Sequence, residues 1–86
     1  MGREDIGMNI FLRLQKVTEV MCMSRSTLYL RIKQGLLPPP VKLGERCSAW
    51  PEYEIAAIST ARIAQKSDEE IRELVVKLQR QRTAMA

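Results

Sequence analysis

The chain has 86 residues, a net charge of +4 and a pI near 9.4, which suits one small domain with a modest core and a shallow working surface. It has no His and only Cys22 and Cys47, which excludes imidazole acid–base chemistry, Ser-His triads and His- or Cys-rich metal sites. No apolar run reaches the ~18 residues that would span a bilayer, and Glu4 and Asp5 stand where a secretory leader would be basic, so the expectation is a soluble cytoplasmic protein without membrane contact.

Met1 to Met8 shows no periodicity and reads as a flexible arm. Asn9 to Leu14, "NIFLRL", is a short apolar run that reads either as a strand or as a lead-in to the first helix. Gln15 to Cys22 places Val17, Val20 and Met21 on one face of a short helix. Ser24 then suits an N-cap, its hydroxyl accepting from the backbone N–H of Ser26 or Thr27. A second helix runs to about Gln34 with Leu28 and Ile32 as its buried edge. Gly35 stands where a left-handed residue ends a helix, and Pro38, Pro39 and Pro40 forbid continuation. Two short helices across a tight turn make a helix-turn-helix, here without the glycine that often occupies the turn.

Val41 to Leu43 and Cys47 to Trp50 bracket Gly44-Glu45-Arg46, a hairpin pattern, and Trp50 is expected to anchor it in the core. Pro51 suits the first position of a third helix, with Glu52 and Glu54 near its positive end and Ile55, Ile58, Arg62 and Ile63 following at helical spacing. Ala56, Ala57 and Ala61 would allow close packing. Ser67 with Glu70 forms a capping box that opens a fourth helix striped by Ile71, Leu74, Val75 and Leu78. Lys77, Arg80 and Arg82 lie near its end. Both cysteines are expected to be small packing residues in a reducing compartment.

The charge is segregated. Residues 1–50 carry eight Lys or Arg against four acids, whereas residues 51–86 carry six of each sign. The excess thus lies in the half with the helix-turn-helix and hairpin, as an electrostatic footprint for nucleic acid would. A helix of this length fits the DNA major groove with its N-terminal residues at base edges. Arg25, with Ser26 and Tyr29 beside it, is placed to read bases, and Ser24 and Thr27 lie at the cap, where Thr27 either meets phosphate or completes the cap. Arg31 and Lys33 suit phosphates, and Lys42 and Arg46 lie on a projecting hairpin, with Gly44 at its tip, that would act as a wing. Leu30 lies off the apolar edge and either packs under the hairpin or is exposed. The prolines would fix the angle between wing and helix.

The series "LRLQKV", "SRSTLYLRIKQG", "PPPVKLGERCSAW" and "PEYEI" resembles the AlpA family of prophage regulators over about Phe11 to Ile58. The resemblance implies a mainly α, winged helix-turn-helix fold of the MerR and excisionase type. It also implies a small phage or genomic-island protein that binds double-stranded DNA, as a transcriptional regulator, as an excision directionality factor, or as both. The chain departs from the usual pattern at Cys22, where the turn commonly has Gly, and at Leu30-Arg31, where the basic residue commonly comes first. Leu37 and Ile58 also stand where aromatics are frequent.

The expected organisation is an arm over 1–8, a winged helix-turn-helix over 9–64 and a C-terminal helix over 65–86. That last helix either folds back on the third helix to complete the core or mediates a homodimer or cooperative assembly on DNA. No catalysis, cofactor or metal is expected, because no acid, base or nucleophile stands with a partner that could activate it. The competing reading is a protein-binding adaptor that docks on an integrase, a polymerase or other transcription machinery, or a response regulator.

Overall fold

The computed structural model describes residues 10–84; the arm over 1–8 and Asn9 lie outside the described residues. The elements are β1 (Phe11–Leu12), α1 (Leu14–Met21), α2 (Arg25–Lys33), β2 (Val41–Gly44), β3 (Cys47–Pro51), α3 (Glu52–Ile63) and α4 (Asp68–Ala84). The chain is therefore mainly helical, with a small antiparallel sheet ordered β1-β3-β2, the architecture of a helix-turn-helix followed by a β-hairpin wing.

The ambiguous run at the start of the described chain divides between two elements. Phe11 and Leu12 pair with Pro51 and Trp50 of β3, and Leu14 begins α1. Glu52 donates its N–H to the carbonyl of Ile10 at 2.7 Å, so the ladder extends one residue past β3. Pro51 accordingly belongs to the strand and serves as the N-cap of α3, correcting its expected place inside the helix. Its missing N–H costs nothing at this junction, where an orphan donor would otherwise need a partner.

Three of the helices end in the same way. Cys22, Gly35 and Gln65 adopt φ values of 54°, 79° and 60°. Each donates to the carbonyl three residues back, and the next residue donates five residues back: Met23 to Thr18, Leu36 to Arg31 and Lys66 to Ala61. This pair of bonds satisfies helix-end carbonyls and turns the chain sharply. Only at Gly35 is the left-handed residue one without a Cβ penalty. At the helix-turn-helix turn Cys22 adopts that conformation, and its side chain is exposed instead of packed as expected. Cys47 is half-buried, its sulfur accepting from Arg13 Nη2 at 3.4 Å.

The core joins Val17 of α1, Leu28 of α2, Leu36 and Leu37 of the following loop, and Trp50 of β3. Ile55, Ile58 and Ala61 of α3 and Ile71, Val75 and Leu78 of α4 complete it. The fourth helix thus folds back on α3 and completes the core, with Leu74 packed at its edge. Two expected core positions are exposed. Ile63 is 81% exposed, since it lies eight residues past Ile55 and has rotated about 80° off the buried arc. Val20 is turned outward because α1 presents Met21 to α3, where the Met21 sulfur accepts from the Ser59 hydroxyl at 3.2 Å.

The capping box at α4 forms in both directions: Glu70 N–H donates to Ser67 Oγ at 3.2 Å, and Ser67 N–H donates to Glu70 Oε1 at 2.9 Å. The backbone N–H of Ser67 holds the Glu70 carboxyl below the usual carboxylate range, with Lys66 adding to the effect.

Candidate nucleic-acid interface

The second helix is held by its ends. Ser24 caps it with its hydroxyl oxygen 3.2 Å from the Thr27 N–H, and the same hydroxyl donates to Thr27 Oγ1 at 3.0 Å. Of the two expected donors to Ser24, Thr27 is therefore the one used. Thr27 is half-buried and belongs to the cap. Leu28 is fully buried and Ile32 packs against the core edge, which turns the opposite side of the helix outward.

That outward side carries Ser26, Tyr29, Leu30 and Lys33, with Arg25 exposed at the first turn. Neither Arg25 nor Lys33 takes a hydrogen bond or ion pair among the described residues. Tyr29 and Leu30 are each about half exposed, so Leu30 does not tuck under the hairpin. Arg31 stands apart from this set. It lies about 160° round the helix from Lys33 by sequence position and is half-buried. It lines a groove of about 410 Å³ with Val20, Met21, Met23, Ser59 and Arg62, and its Nη1 reaches Gln34 Oε1 at 3.5 Å.

The hairpin brings its own cations outward. Val41 pairs with Ala49, Lys42 with Ser48 and Gly44 with Cys47, with an irregularity at Leu43. Glu45 and Arg46 form the turn, so Gly44 closes β2 instead of occupying the tip. Gly44 does not take a positive φ, and a Cβ there would meet only the Cys47 Cβ at 3.8 Å. Lys42 and Arg46 are exposed and make no hydrogen bond or ion pair among the described residues. The inner end of the hairpin is fixed instead: Ala49, Trp50 and Pro51 are buried.

Between helix and hairpin lies the segment 34–40. Its prolines have no N–H to give, so its carbonyls must find donors elsewhere. Trp50 Nε1 donates to the Pro38 carbonyl at 2.7 Å, in a buried position. Arg82 of α4 donates to the Pro39 carbonyl at 2.7 Å and grips the fully buried Glu54 carboxylate at 2.6 and 2.8 Å through Nη2 and Nε. Arg72 Nε donates to the Gln34 carbonyl at 2.8 Å. Sequence pattern alone does not single out Arg72, and it places Arg82 only beside Lys77 and Arg80 near the end of α4. A signal did exist: Glu54 falls at the same helical spacing as Ile58 and Ala61, and a carboxylate on a buried arc needs a cation.

Among the described residues no group of acidic, Cys or His side chains could hold a metal, and no helix is long and apolar enough to cross a membrane. The arrangement offers separated cations and hydroxyls on two projecting elements, suited to binding an extended anion.

No solved structure matches the chain. An uncharacterized protein, ORF88 of Enterobacteria phage P4, is 42% identical over 60 residues, covering 70% of this chain and 68% of that protein. The profile of the prophage CP4-57 regulatory protein (AlpA) family matches residues 10–62, from the residue before β1 to the next-to-last residue of α3. With its helix-turn-helix and hairpin both inside the matched region, the chain belongs to the AlpA family of prophage regulatory proteins.

Proposed function

We propose that this protein is a sequence-specific, double-stranded DNA-binding transcriptional regulator of a prophage or integrated element. The observation that carries the reading is the outward face of α2. A capped helix in a prophage regulator presents Arg25, Ser26, Tyr29 and Lys33 without internal partners, and a hairpin bearing Lys42 and Arg46 follows it. The helix is about 13 Å long, and a major groove about 12 Å wide admits a helix.

Arg25 reads a base edge, with guanine O6 and N7 as the matching acceptors, while Ser26 and Tyr29 add hydroxyl contacts. Lys33 anchors phosphate, and the wing residues Lys42 and Arg46, with Gly44 between them in the strand end, lie on the backbone or in the adjacent minor groove. Ser24 and Thr27 serve by holding the helix start. Arg31 is directed to the groove beside α3 and contributes charge to the field instead of a direct contact. Residues 9–64 form the DNA-binding unit, and α4 within the C-terminal stretch 65–86 completes its core.

Selection of bound fragments from host DNA, followed by anisotropy titration of the best fragment and a scrambled control at two salt concentrations, tests the reading. Tight, sequence-dependent binding that weakens steeply with salt is expected. Arg25→Ala should lose about 1–3 kcal/mol on the selected site and relax its preference. Fragments drawn from a promoter indicate transcriptional control, and fragments from an attachment site indicate an excision directionality factor. Equal binding to the scrambled control would reject the reading in favour of an adaptor that docks on an integrase or transcription machinery.

A further inference from the structure

We propose that Arg72 and Arg82 of α4 are positioning residues that lock the recognition helix and the wing into one rigid reading frame. The inference rests on the DNA-binding reading above and adds a role for a helix that lies outside the family match. That match ends at residue 62, whereas α4 spans Asp68–Ala84.

The two arginines seize opposite ends of the segment that joins the two DNA elements. Arg72 donates to the carbonyl of Gln34, the C-cap of α2, and its Cγ and Cδ would lie 3.7 and 3.8 Å from a Cβ placed at Gly35. Arg82 donates to the carbonyl of Pro39, two residues before the wing strand begins. Ten residues separate these side chains along α4, about 15 Å of helix, so one straight rod bridges the segment from helix end to strand start.

The chemistry explains why the bridge is needed. Backbone bonds from Gln34, Gly35 and Leu36 tie the first half of the segment to α2, but Pro38, Pro39 and Pro40 supply acceptors and no donors, so the half next to the wing cannot donate backbone bonds of its own. Arg82 is in turn aimed by Glu54, which is fully buried and held in two-point contact with the guanidinium. A planar fork held at a carboxylate has a fixed direction for its remaining N–H groups, as a flexible lysine ammonium would not. The Glu54–Arg82 pair thus directs a donor at Pro39, and the wing and helix meet DNA already arranged. Binding then loses less freedom than if the segment were loose.

The test uses the full chain. Arg72→Ala removes one brace at an exposed position. Glu54→Leu with Arg82→Met removes the other while replacing a buried ion pair by apolar side chains, a change that often preserves stability. Thermal melts establish folding. The triple variant should bind the selected fragment about tenfold more weakly than the unmodified chain. Lys42→Ala should also cost distinctly less affinity in the triple variant than in the unmodified chain, because a loosened wing no longer delivers its lysine. A merely structural role for α4 would not change the effect of Lys42→Ala in a folded protein.

A folded triple variant with undiminished affinity and an undiminished Lys42→Ala effect would overturn the proposal. If the triple variant does not fold, Arg72→Ala alone carries the same comparison. Should the unmodified chain show no preference for the fragment, the DNA-binding reading fails. Amide order parameters then decide the bracing separately: a fall across Leu36, Leu37 and Val41–Gly44 in the variants supports it, and unchanged values overturn it.

Discussion

Arg25 at the start of α2 and Arg82 near the end of α4 bear the same guanidinium in opposite surroundings. Arg25 is exposed and touches no hydrogen-bonding partner among the described residues, whereas Arg82 is bound to a buried carboxylate and to the carbonyl of Pro39. The contrast extends to the regions around them. The outward side of α2 and the tip of the hairpin keep their cations free, while the inner end of the hairpin and the proline segment are tied by the side-chain donors of Trp50, Arg72 and Arg82. In a domain this small, cationic groups are left open on elements whose attachment points are fixed, so rigidity and availability occupy different residues.

The comparison is broken most readily at its anchored end. Arg82→Ala strands the Glu54 carboxylate in the core and should cost about 3–5 kcal/mol of stability. Arg25→Ala should stay within about 0.5 kcal/mol in the same urea titration. Similar losses for the two would mean that the guanidiniums are not in different roles. Trp50→Phe removes the donor to Pro38 and leaves a buried carbonyl unsatisfied, with an expected loss of about 1–3 kcal/mol. The indole should be needed for its N–H, so a phenyl ring of similar apolar character should not rescue it.

Smaller effects sharpen the picture of the helix-turn-helix. Cys22→Gly relieves a side chain held in the left-handed region and should raise stability by about 0.5–1 kcal/mol, the relief exceeding the extra entropy of glycine. A drop in melting temperature would show that Cys22 contributes contacts that the turn needs. The smallest effect concerns acid. The Glu70 carboxyl titrates below its ordinary value of 4.5, so its contribution to α4 is present above that value and lost as pH falls through the lower folded-state value. Glu70→Gln should flatten this part of the acid profile in a series of melts.

Much of this fold was legible because its signals are local. The Ser24 cap, the Gly35 stop, the Ser67–Glu70 box and the paired strands around Glu45 and Arg46 each depend on residues near in sequence. Where local pattern failed, tertiary orientation decided. Val20 and Ile63 fit helical spacing yet face outward, because Met21 fixes the rotation of α1 and Ile63 lies past the buried arc. Arg31 was equivalent to Lys33 as a phosphate contact in the sequence, and only the packing of Leu28 and Ile32 turns it toward α3. The braces from Arg72 and Arg82 join residues 38 and 43 positions apart. No short-range pattern contains them, although the buried spacing of Glu54 marked one end.

DNA is proposed to lie on the outward side of α2 and on the hairpin. Amide chemical-shift mapping of the full chain, titrated with a selected DNA fragment, tests it most directly. Shifts should concentrate at Arg25, Ser26, Tyr29, Lys33 and Lys42 to Arg46, with Thr60, Ala64 and Lys66, which line a separate surface with Leu74, unmoved. Shifts centred on that separate surface, or on the groove of Met23, Arg31 and Arg62, with the hairpin unmoved, would contradict it.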